Sequence, residues 1–357
     1  MKHFLYFTFV CLFTISAIGQ SQTKKELALS KAREAAKIMD NGQLDESIEL
    51  LKECEKLDSK NSIYPYEIAY AYTLKKEYTA AIDILDKVKK YKDVTSQTYQ
   101  MSGNCYSYLG NSEKALQEYE SGLKKFPNAG NLHLEKGNIY YQQEKYDEAA
   151  VHYKRGIDAD PMFASNYYNL SGIYLKTSDK LSGIIYGEIF LNLERTTKRS
   201  LEMSKVLYDA YKNAVEINGS DAKIEFCELV FDASQFSENK LPEMPLCGIF
   251  GKNFILTTMG HDKVDYNSIS EMRMQFVRNF FEEDYKKYPN VLFEYQKLLL
   301  DNHVFDAYNR YIFQMGAKDE FGDWEKSHSK EFEAFKTWYT NPDNYLKVTK
   351  SNRFVAN

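Results

Sequence analysis

Two small groups of histidine and aspartate are the residues of this chain whose types and spacing could bind a metal ion. His261, Asp262 and Asp265 cluster in one short stretch. His303 and Asp306 stand three residues apart, which would place both on one face of a helix. Zinc and iron sites need three or more ligands at constrained geometry. A surface turn and a helix flank explain these residues at least as well, so the sequence predicts no metal site and no cofactor.

The usual signatures of catalysis are missing from the sequence. It contains no Gly-x-Ser-x-Gly elbow, no phosphate-binding glycine loop and no His-Glu-x-x-His motif. Among 51 acidic residues, none is singled out as one of a catalytic pair. We therefore expect a protein that is not an enzyme.

Composition and charge limit the partners of this chain. The formal net charge is −5 and the sequence pI is about 5.8, so no overall positive field would attract nucleic acid. Hydrophobic residues make up 43% of the chain and tyrosine occurs 29 times, as in an ordered protein. We expect a partner other than nucleic acid.

The first 22 residues have the pattern of a secretory signal peptide. Lys2 precedes an apolar run, Phe4–Ile18, which is followed by the small residue Gly19. The run is too short to span a bilayer comfortably, and Cys11 lies inside it rather than at its end, as a lipoprotein would require. The sequence therefore predicts a cleaved signal peptide over residues 1–22. The protein would be exported to the periplasm or envelope and would have no membrane-spanning segment once the signal peptide is removed, and peripheral association with the envelope stays open.

A step of 34 residues recurs through the first half of the chain without an insertion. Small residues recur at this step in the first predicted helix of each repeat: Ala35, Ala69, Gly103, Gly137 and Ser171. A second series recurs in the second helix: Ser47, Ala81, Ala115, Ala149 and Gly183. Apolar or small residues spaced three, four and seven apart predict two amphipathic helices in each repeat. A period of 34 is typical of helix–turn–helix repeats.

These repeats resemble the tetratricopeptide repeat family. Repeat four meets the family pattern best, with Gly137, Tyr140, Ala149, Tyr153 and Pro161. Repeat three is nearly as good, with Gly103, Tyr106, Ala115, Tyr119 and Pro127. Repeat five departs, because Gly187 replaces the aromatic residue and Arg195 the proline. The resemblance implies a right-handed α–α superhelix of about five repeats. The second half resembles no characterised family, but its helical pattern predicts a mainly helical C-terminal domain, so we expect a mostly all-α fold.

The predicted domain boundaries follow from this register. After the signal peptide, the array covers residues 23–197, with repeats near 28–61, 62–95, 96–129, 130–163 and 164–197. A capping helix covers 198–217, and a mainly helical domain of unknown function covers 218–357. In that domain we expect helices over 269–288, 291–315 and 325–339, and either a short hairpin or buried loops over 224–259.

Cysteines divide into two pairs by context. Cys54 and Cys105 stand where each repeat expects a small core residue, so we expect buried thiols. Cys227 and Cys247 flank a loop in the second half, and an oxidising compartment would allow a disulfide between them. The spacing alone does not decide whether this bridge forms.

The resemblance also implies a binding surface, because in this family the first helix of each repeat forms the inner wall of the superhelix. Carried onto this sequence, the wall holds Tyr66, Tyr70, Gln100, Asn104, Tyr108, Leu134, Asn138, Tyr141, Gln142 and Tyr168, with Asn169 beside them. Side-chain amides can donate to and accept from a peptide backbone, and tyrosines suit binding surfaces. An inert wall is the alternative, since surface asparagines are often merely solvated.

The expected function is a non-enzymatic exported scaffold whose concave groove binds a peptide or protein. Family members that capture a C-terminal carboxylate use lysine at position five of the repeat. This chain has Ala32, Tyr66, Gln100, Leu134 and Tyr168 at that position, which puts such a clamp in doubt. One alternative is a structural subunit of an envelope or secretion assembly whose groove is filled by its own C-terminal domain. Another is an unrecognised enzymatic activity in that domain.

Overall fold

The computed structural model describes residues 23–219, 221–229 and 242–356. The predicted signal peptide lies outside these residues. Seventeen α-helices and one two-stranded hairpin make up the regular structure of the described residues, so the predicted all-α repeat fold is confirmed. The chain forms two compact units, one ending at Val94 and the other beginning at Thr95. The domain boundaries drawn from the repeat register stay a prediction.

The first unit consists of two helix pairs. Its helices are α1 (Lys24–Asp40), α2 (Leu44–Leu57), α3 (Ile63–Leu74) and α4 (Tyr78–Val88). A small core of Ala35, Leu51 and Ile68 joins α1, α2 and α3. The hydroxyl of Ser47 donates to the carbonyl of Ala35 over 2.8 Å, so the small residues of the two series are in contact.

The second unit begins with three more helix pairs. They are α5 (Ser96–Tyr108), α6 (Ser112–Lys125), α7 (Gly130–Gln142), α8 (Tyr146–Ala159), α9 (Ala164–Tyr174) and α10 (Lys180–Leu193). A side chain at Gly103 would overlap the ring of Tyr119, and one at Gly137 would overlap the ring of Tyr153. The small residue of the first helix therefore makes room for the tyrosine of the second.

The fifth repeat departs from the pattern because a further helix packs against it. Gly187 stands on α10 where an aromatic residue was expected, and α11 covers Lys198–Ala214. A Cβ atom at Gly187 would lie 2.9 Å from the side chains of both Met203 and Leu207 on α11. The missing side chain lets α11 approach the last repeat closely.

The remaining elements form a mainly helical region. Strands β1 (Val215–Asn218) and β2 (Asp221–Ile224) pair antiparallel. The helices are α12 (Leu246–Leu256), α13 (Tyr266–Glu283), α14 (Val291–Asp301), α15 (Phe305–Ile312), α16 (Lys318–Ser327) and α17 (Ser329–Thr340). A 3-10 turn follows at Pro342–Asn344.

Three local expectations for this region need correction. The hairpin precedes the stretch in which we expected it, and within that stretch residues 246–256 are helical. The helix predicted over 291–315 is two helices, because His303 adopts a φ of 58° between them. The helix predicted over 325–339 begins only at Ser329, since α16 ends at Ser327. The apolar pattern continues across both breaks, so periodicity did not reveal them.

A buried polar cluster joins the last repeat to the C-terminal helices. Glu188 on α10 lies 2.6 Å from the guanidinium of Arg273 on α13, and both side chains are buried. The same carboxylate oxygen accepts from the amide of Gln296 and the hydroxyl of Tyr308, each over 2.9 Å. Helices α10, α13, α14 and α15 thus share one hydrogen-bonded cluster.

The C-terminal tail, residues 347–356, returns to the second helices of repeats four and five. Lys154 on α8 donates to the carbonyl of Ala356 over 2.8 Å, and the amide of Ala356 donates to the hydroxyl of Tyr186 on α10 over 2.8 Å. Arg353 pairs with Asp158 on α8. The tail therefore lies against α8 and α10.

Among the residues that the structure describes, no helix is both long enough and apolar enough to span a bilayer.

Candidate functional site

The predicted groove residues of repeats three and four line one cleft between the first helices α5 and α7. The cleft has a volume of about 290 Å³. Its lining residues are Asn104, Ser107, Tyr108, Tyr119, Glu135, Asn138, Ile139, Tyr141 and Gln142. Of the predicted wall, Asn104, Tyr108, Asn138, Tyr141 and Gln142 therefore come together here.

Each of the two predicted asparagines accepts a hydrogen bond from the tyrosine of its own repeat. The hydroxyl of Tyr119 donates to Oδ1 of Asn104 over 2.6 Å, and that of Tyr153 donates to Oδ1 of Asn138 over 2.9 Å. Both pairs are 15 residues apart in sequence. Part of the role of each asparagine is therefore to satisfy a buried hydroxyl.

The two asparagines differ in what their amide nitrogens can still do. Nδ2 of Asn138 donates to Glu135 over 3.0 Å, and its Oδ1 also accepts from Asn169 over 3.1 Å. Nδ2 of Asn104 makes no hydrogen bond to any described residue. Because an amide nitrogen has two protons to donate, Asn104 offers the cleft two unused donors.

Glu135 holds the centre of the polar network. Its two carboxylate oxygens accept from Nε2 of Gln100 over 2.7 Å and from Nδ2 of Asn138 over 3.0 Å. Gln100 also accepts from Asn131 over 2.7 Å, so the network runs across α5 and α7. These neutral amides orient the carboxylate without neutralising its charge.

Two tyrosines stand at the edge of the cleft. Tyr108 is 61% exposed and Tyr141 is 38% exposed. The ring of Tyr141 meets that of Tyr146 edge-on at a centroid distance of 5.2 Å. An exposed aromatic face beside oriented amides and a carboxylate is suited to an extended peptide.

The other predicted residues of the second unit lie outside this cleft. Gln100 and Asn169 bridge neighbouring repeats through the bonds described above. The ring centroids of Tyr168 and Phe190 lie 5.0 Å apart. The guanidinium carbon of Arg199 lies 5.1 Å from the ring centroid of Tyr168. Tyr168 therefore packs on the fifth repeat and its neighbouring segment. Leu134 packs against the large hydrophobic core.

Tyr66 and Tyr70 belong to the first compact unit, on α3. Burial raises the pKa of Tyr66 to about 12, with smaller contributions from Glu67 and Tyr70. Tyr70 is 41% exposed. The half-buried Tyr66 and the exposed Tyr70 thus offer apolar ring surface together with two hydroxyl groups.

Sequence reasoning missed Glu135, although a signal for it existed. Glu135 stands one repeat before Asn169, which was among the predicted residues, at the same position of the 34-residue register. The hydroxyl roles of Tyr119 and Tyr153 were also missed, because tyrosines at that position read as core residues. The sequence nevertheless contained a signal for the asparagine–tyrosine pair, because the two residues occur together or not at all in repeats three to five. Repeat five lacks both, with Gly172 in place of the asparagine and Gly187 in place of the tyrosine.

The histidine and aspartate groups do not form a ligand set. Within the described residues, no three His, Cys, Asp or Glu side chains converge as they would around a metal ion. Asp265 instead caps α13, accepting from the amides of Asn267 and Ser268 over 3.0 Å. Asp306 accepts from Ser270 over 2.6 Å.

The cysteines of the second half are bridged. Cys227 and Cys247 form a disulfide with a Cα–Cα distance of 6.3 Å, which ties the segment after β2 to the start of α12. Cys54 and Cys105 are buried free thiols.

Two family models match segments of the repeat region. The model described as "Tetratricopeptide repeat" matches residues 96–124, and the model described as "TPR repeat" matches residues 137–178. These segments fall in repeats three to five.

Curated relatives match about half of the chain. "Hsp70-Hsp90 organizing protein 2" of Arabidopsis thaliana is 28% identical over 195 residues, which is 51% of this chain and 33% of that protein. "Hsp70-Hsp90 organizing protein" of Triticum aestivum is 27% identical over 169 residues, 45% of this chain and 28% of that protein. The chain thus spans about a third of these relatives.

Two solved structures match part of the chain. MamA of Desulfovibrio magneticus RS-1 is 18% identical, with a TM-score of 0.36 over 48% of this chain and 97% of that chain. PilF of Pseudomonas aeruginosa is 13% identical, with a TM-score of 0.43 over 53% of this chain and 86% of that chain. With two matching family models and consecutive helix pairs at the 34-residue step, the chain contains tetratricopeptide repeats over residues 96–124 and 137–178.

Proposed function

We propose that this chain is a non-enzymatic, exported scaffold that binds an extended segment of a peptide or protein in the cleft between α5 and α7. The observation that carries the proposal is the side-chain amide of Asn104. It is held at Oδ1 by Tyr119 over 2.6 Å, while its nitrogen keeps both protons for a ligand. An amide fixed in this way can donate to a peptide carbonyl at little entropic cost.

The character of the cleft supports a peptide rather than a small-molecule substrate. Its lining combines tyrosine, asparagine, glutamine and one carboxylate. No pair of these groups has the nucleophile–base arrangement of a catalytic centre. Tyrosine-rich surfaces with adaptable amides are typical of protein recognition.

A clamp for a C-terminal carboxylate is not supported by this cleft. Its nine lining residues include no lysine or arginine, and its one charged side chain is Glu135. A carboxylate ligand would meet a like charge there, which disfavours binding. We therefore place an internal, extended segment in the cleft.

Filling of the cleft by the protein's own C-terminal domain is also not supported. The lining residues all lie between Asn104 and Gln142, whereas the C-terminal tail packs on α8 and α10. Among the described residues, none of the C-terminal domain lines this cleft, which supports an external partner.

Selection from a random nonapeptide library on the immobilised full chain tests the binding proposal. The wild-type protein should enrich a family of peptides that a cleft variant, Asn104→Ala with Tyr108→Ala, does not. Val151→Ala is the matched control, because Val151 is 45% exposed on α8, outside the cleft. Equal enrichment on the cleft variant and the wild type would overturn the proposal, as would no enrichment at all.

Export is a separate part of the proposal and rests on the residues before position 23. N-terminal sequencing of the protein recovered from its native cells tests it. We expect a mature terminus between residues 20 and 23, after removal of the predicted signal peptide. A mature protein that retains the apolar run would contradict this part while leaving the cleft proposal standing.

A further inference from the structure

We infer that the cleft between α5 and α7 selects an extended segment carrying a cationic side chain, arginine above all, which pairs with Glu135. This inference rests on the proposed function and adds the chemistry of the partner. Three features of the cleft lead to it: an oriented carboxylate without a cation, aromatic faces beside it, and a donor for the peptide backbone.

The carboxylate of Glu135 is oriented but not neutralised. Each of its oxygens accepts one hydrogen bond from a neutral amide, Gln100 over 2.7 Å and Asn138 over 3.0 Å. Among the described residues, no lysine, arginine or histidine forms an ion pair with it. The neighbouring Lys136 pairs instead with Glu120 over 2.6 Å.

This arrangement leaves the carboxylate able to accept hydrogen bonds from a bidentate ligand. A carboxylate oxygen can accept two hydrogen bonds, so each oxygen of Glu135 has one acceptor site left. A guanidinium presents parallel donors that match both oxygens of a carboxylate at once. Gln100 and Asn138 hold the carboxylate in place, so little rotational freedom remains to be lost when the cation binds.

The walls of the cleft suit the flat face of the same group. Tyr108 and Tyr141 line the cleft beside Glu135 and expose their side chains. Guanidinium groups stack on aromatic faces and are more weakly hydrated than ammonium groups. Arginine therefore fits the three groups better than lysine does.

The peptide backbone has its own partner next to this site. Nδ2 of Asn104, which lines the same cleft, makes no hydrogen bond to a described residue and can donate to a carbonyl of the ligand. Charge and backbone recognition thus rest on different residues. The two can be removed separately.

Peptides that differ in one side chain test the inference on the full chain. The probes are end-capped nonapeptides of one sequence taken from the library selection, with arginine, lysine, citrulline or glutamate at the selected position. Citrulline keeps the shape of arginine without its charge. We expect arginine to bind at least about tenfold more tightly than citrulline, with lysine between them and glutamate weakest. Raising the salt concentration should reduce the difference.

Glu135→Gln should abolish the preference for arginine, measured as the ratio of the dissociation constants of the citrulline and arginine peptides in the same variant. Asn104→Ala should weaken all four peptides by a similar factor. A preference that persists in Glu135→Gln would overturn the inference. The wild-type comparison of arginine with citrulline needs no variant, so it decides the matter even if Glu135→Gln fails to fold.

The failure of this inference can be told apart from that of the proposed function. If the four peptides bind equally and Asn104→Ala weakens them, the cleft binds peptides without selecting charge and only the inference falls. If no library peptide binds the wild-type protein, the proposed function falls and the inference with it.

Discussion

The hydroxyl of Tyr119 donates to Oδ1 of Asn104 over 2.6 Å, and the same pair recurs one repeat later between Tyr153 and Asn138. The tyrosine ring fills the space that Gly103 or Gly137 leaves in the first helix of the repeat. The tyrosine of each pair thus packs in the core of its repeat, and the asparagine of each pair lines the cleft. If the cleft binds a peptide as proposed, this bond links the stability of the repeat to recognition.

A double-mutant cycle on this pair should measure the coupling. Tyr119→Phe is expected to lower the free energy of unfolding by about 1 kcal/mol, because the fixed amide loses its donor. In an Asn104→Ala background, Tyr119→Phe should cost less, giving a coupling energy of about 1 kcal/mol in urea titrations. Tyr146→Phe is the control, since the exposed Tyr146 has no hydrogen bond from its hydroxyl within the described residues. Additive effects of the two substitutions would contradict the bond.

The buried pair of Glu188 and Arg273 should be essential for joining α10 to α13. Glu188→Ala leaves the guanidinium of Arg273 buried without a counter-charge, so we expect a loss of about 3–5 kcal/mol in the free energy of unfolding. Replacing both partners, Glu188→Leu with Arg273→Met, should cost less than the single substitution.

The exposed pair of Lys205 and Asp209 provides the control for this measurement. Asp209→Ala should change the free energy of unfolding by less than about 0.5 kcal/mol. If the double replacement lowers the free energy of unfolding as much as Glu188→Ala does, the loss cannot be due to an uncompensated buried charge, and the prediction is wrong.

Reduction of the disulfide between Cys227 and Cys247 should destabilise the second unit. The two cysteines are separated by 20 residues, and a loop of that size corresponds to about 3 kcal/mol in the chain-entropy account. Cys227→Ser with Cys247→Ser should unfold at lower temperature than the wild type and no longer respond to a reducing agent. Cys105→Ala, which removes a buried free thiol, should keep the response. An equal response in the double serine variant would contradict this assignment.

The free energy of unfolding should decrease as the pH is lowered, because His152 becomes protonated more readily in the unfolded chain than in the folded one. Burial lowers the pKa of this histidine to about 4, below the ordinary value of 6.5, and nearby Lys136 and Arg155 lower it further. Between these two values the unfolded chain binds a proton that the folded chain does not, so stability decreases as pH drops from about 6.5 to about 4. The loss should approach roughly 2 kcal/mol in urea titrations at the two ends of this range.

His152→Phe should flatten this dependence. The imidazole stacks on Tyr140 at a centroid distance of 5.0 Å, and phenylalanine keeps an aromatic ring there without the titrating group. If His152→Phe and the wild type lose equal stability between pH 6.5 and 4, another group is responsible.

The repeat register made the first ten helices predictable, because each small position has to meet a large one at a fixed step. Gly103 makes room for the ring of Tyr119, and Gly137 makes room for the ring of Tyr153 one repeat later, so the same contact recurs every 34 residues. The break at His303 depends on one backbone conformation, with a φ of 58°, which apolar spacing does not report. The contact between Glu188 and Arg273 joins residues 85 apart, and no local pattern pairs them. At the cleft, the family resemblance predicted five of the nine lining residues, but not Glu135. It also did not predict that Asn138 donates one amide proton to Glu135 while Asn104 keeps both of its own.

The side-chain amide of Asn104 offers the most direct measurement. Its nitrogen and proton signals can be followed by NMR in the full chain while a library-selected nonapeptide is added, with Asn104→Asp used to assign them. The account predicts that these signals shift with the peptide and saturate at the same concentration as binding. Unchanged Asn104 signals, with shifts confined to α8 and α10, would contradict it.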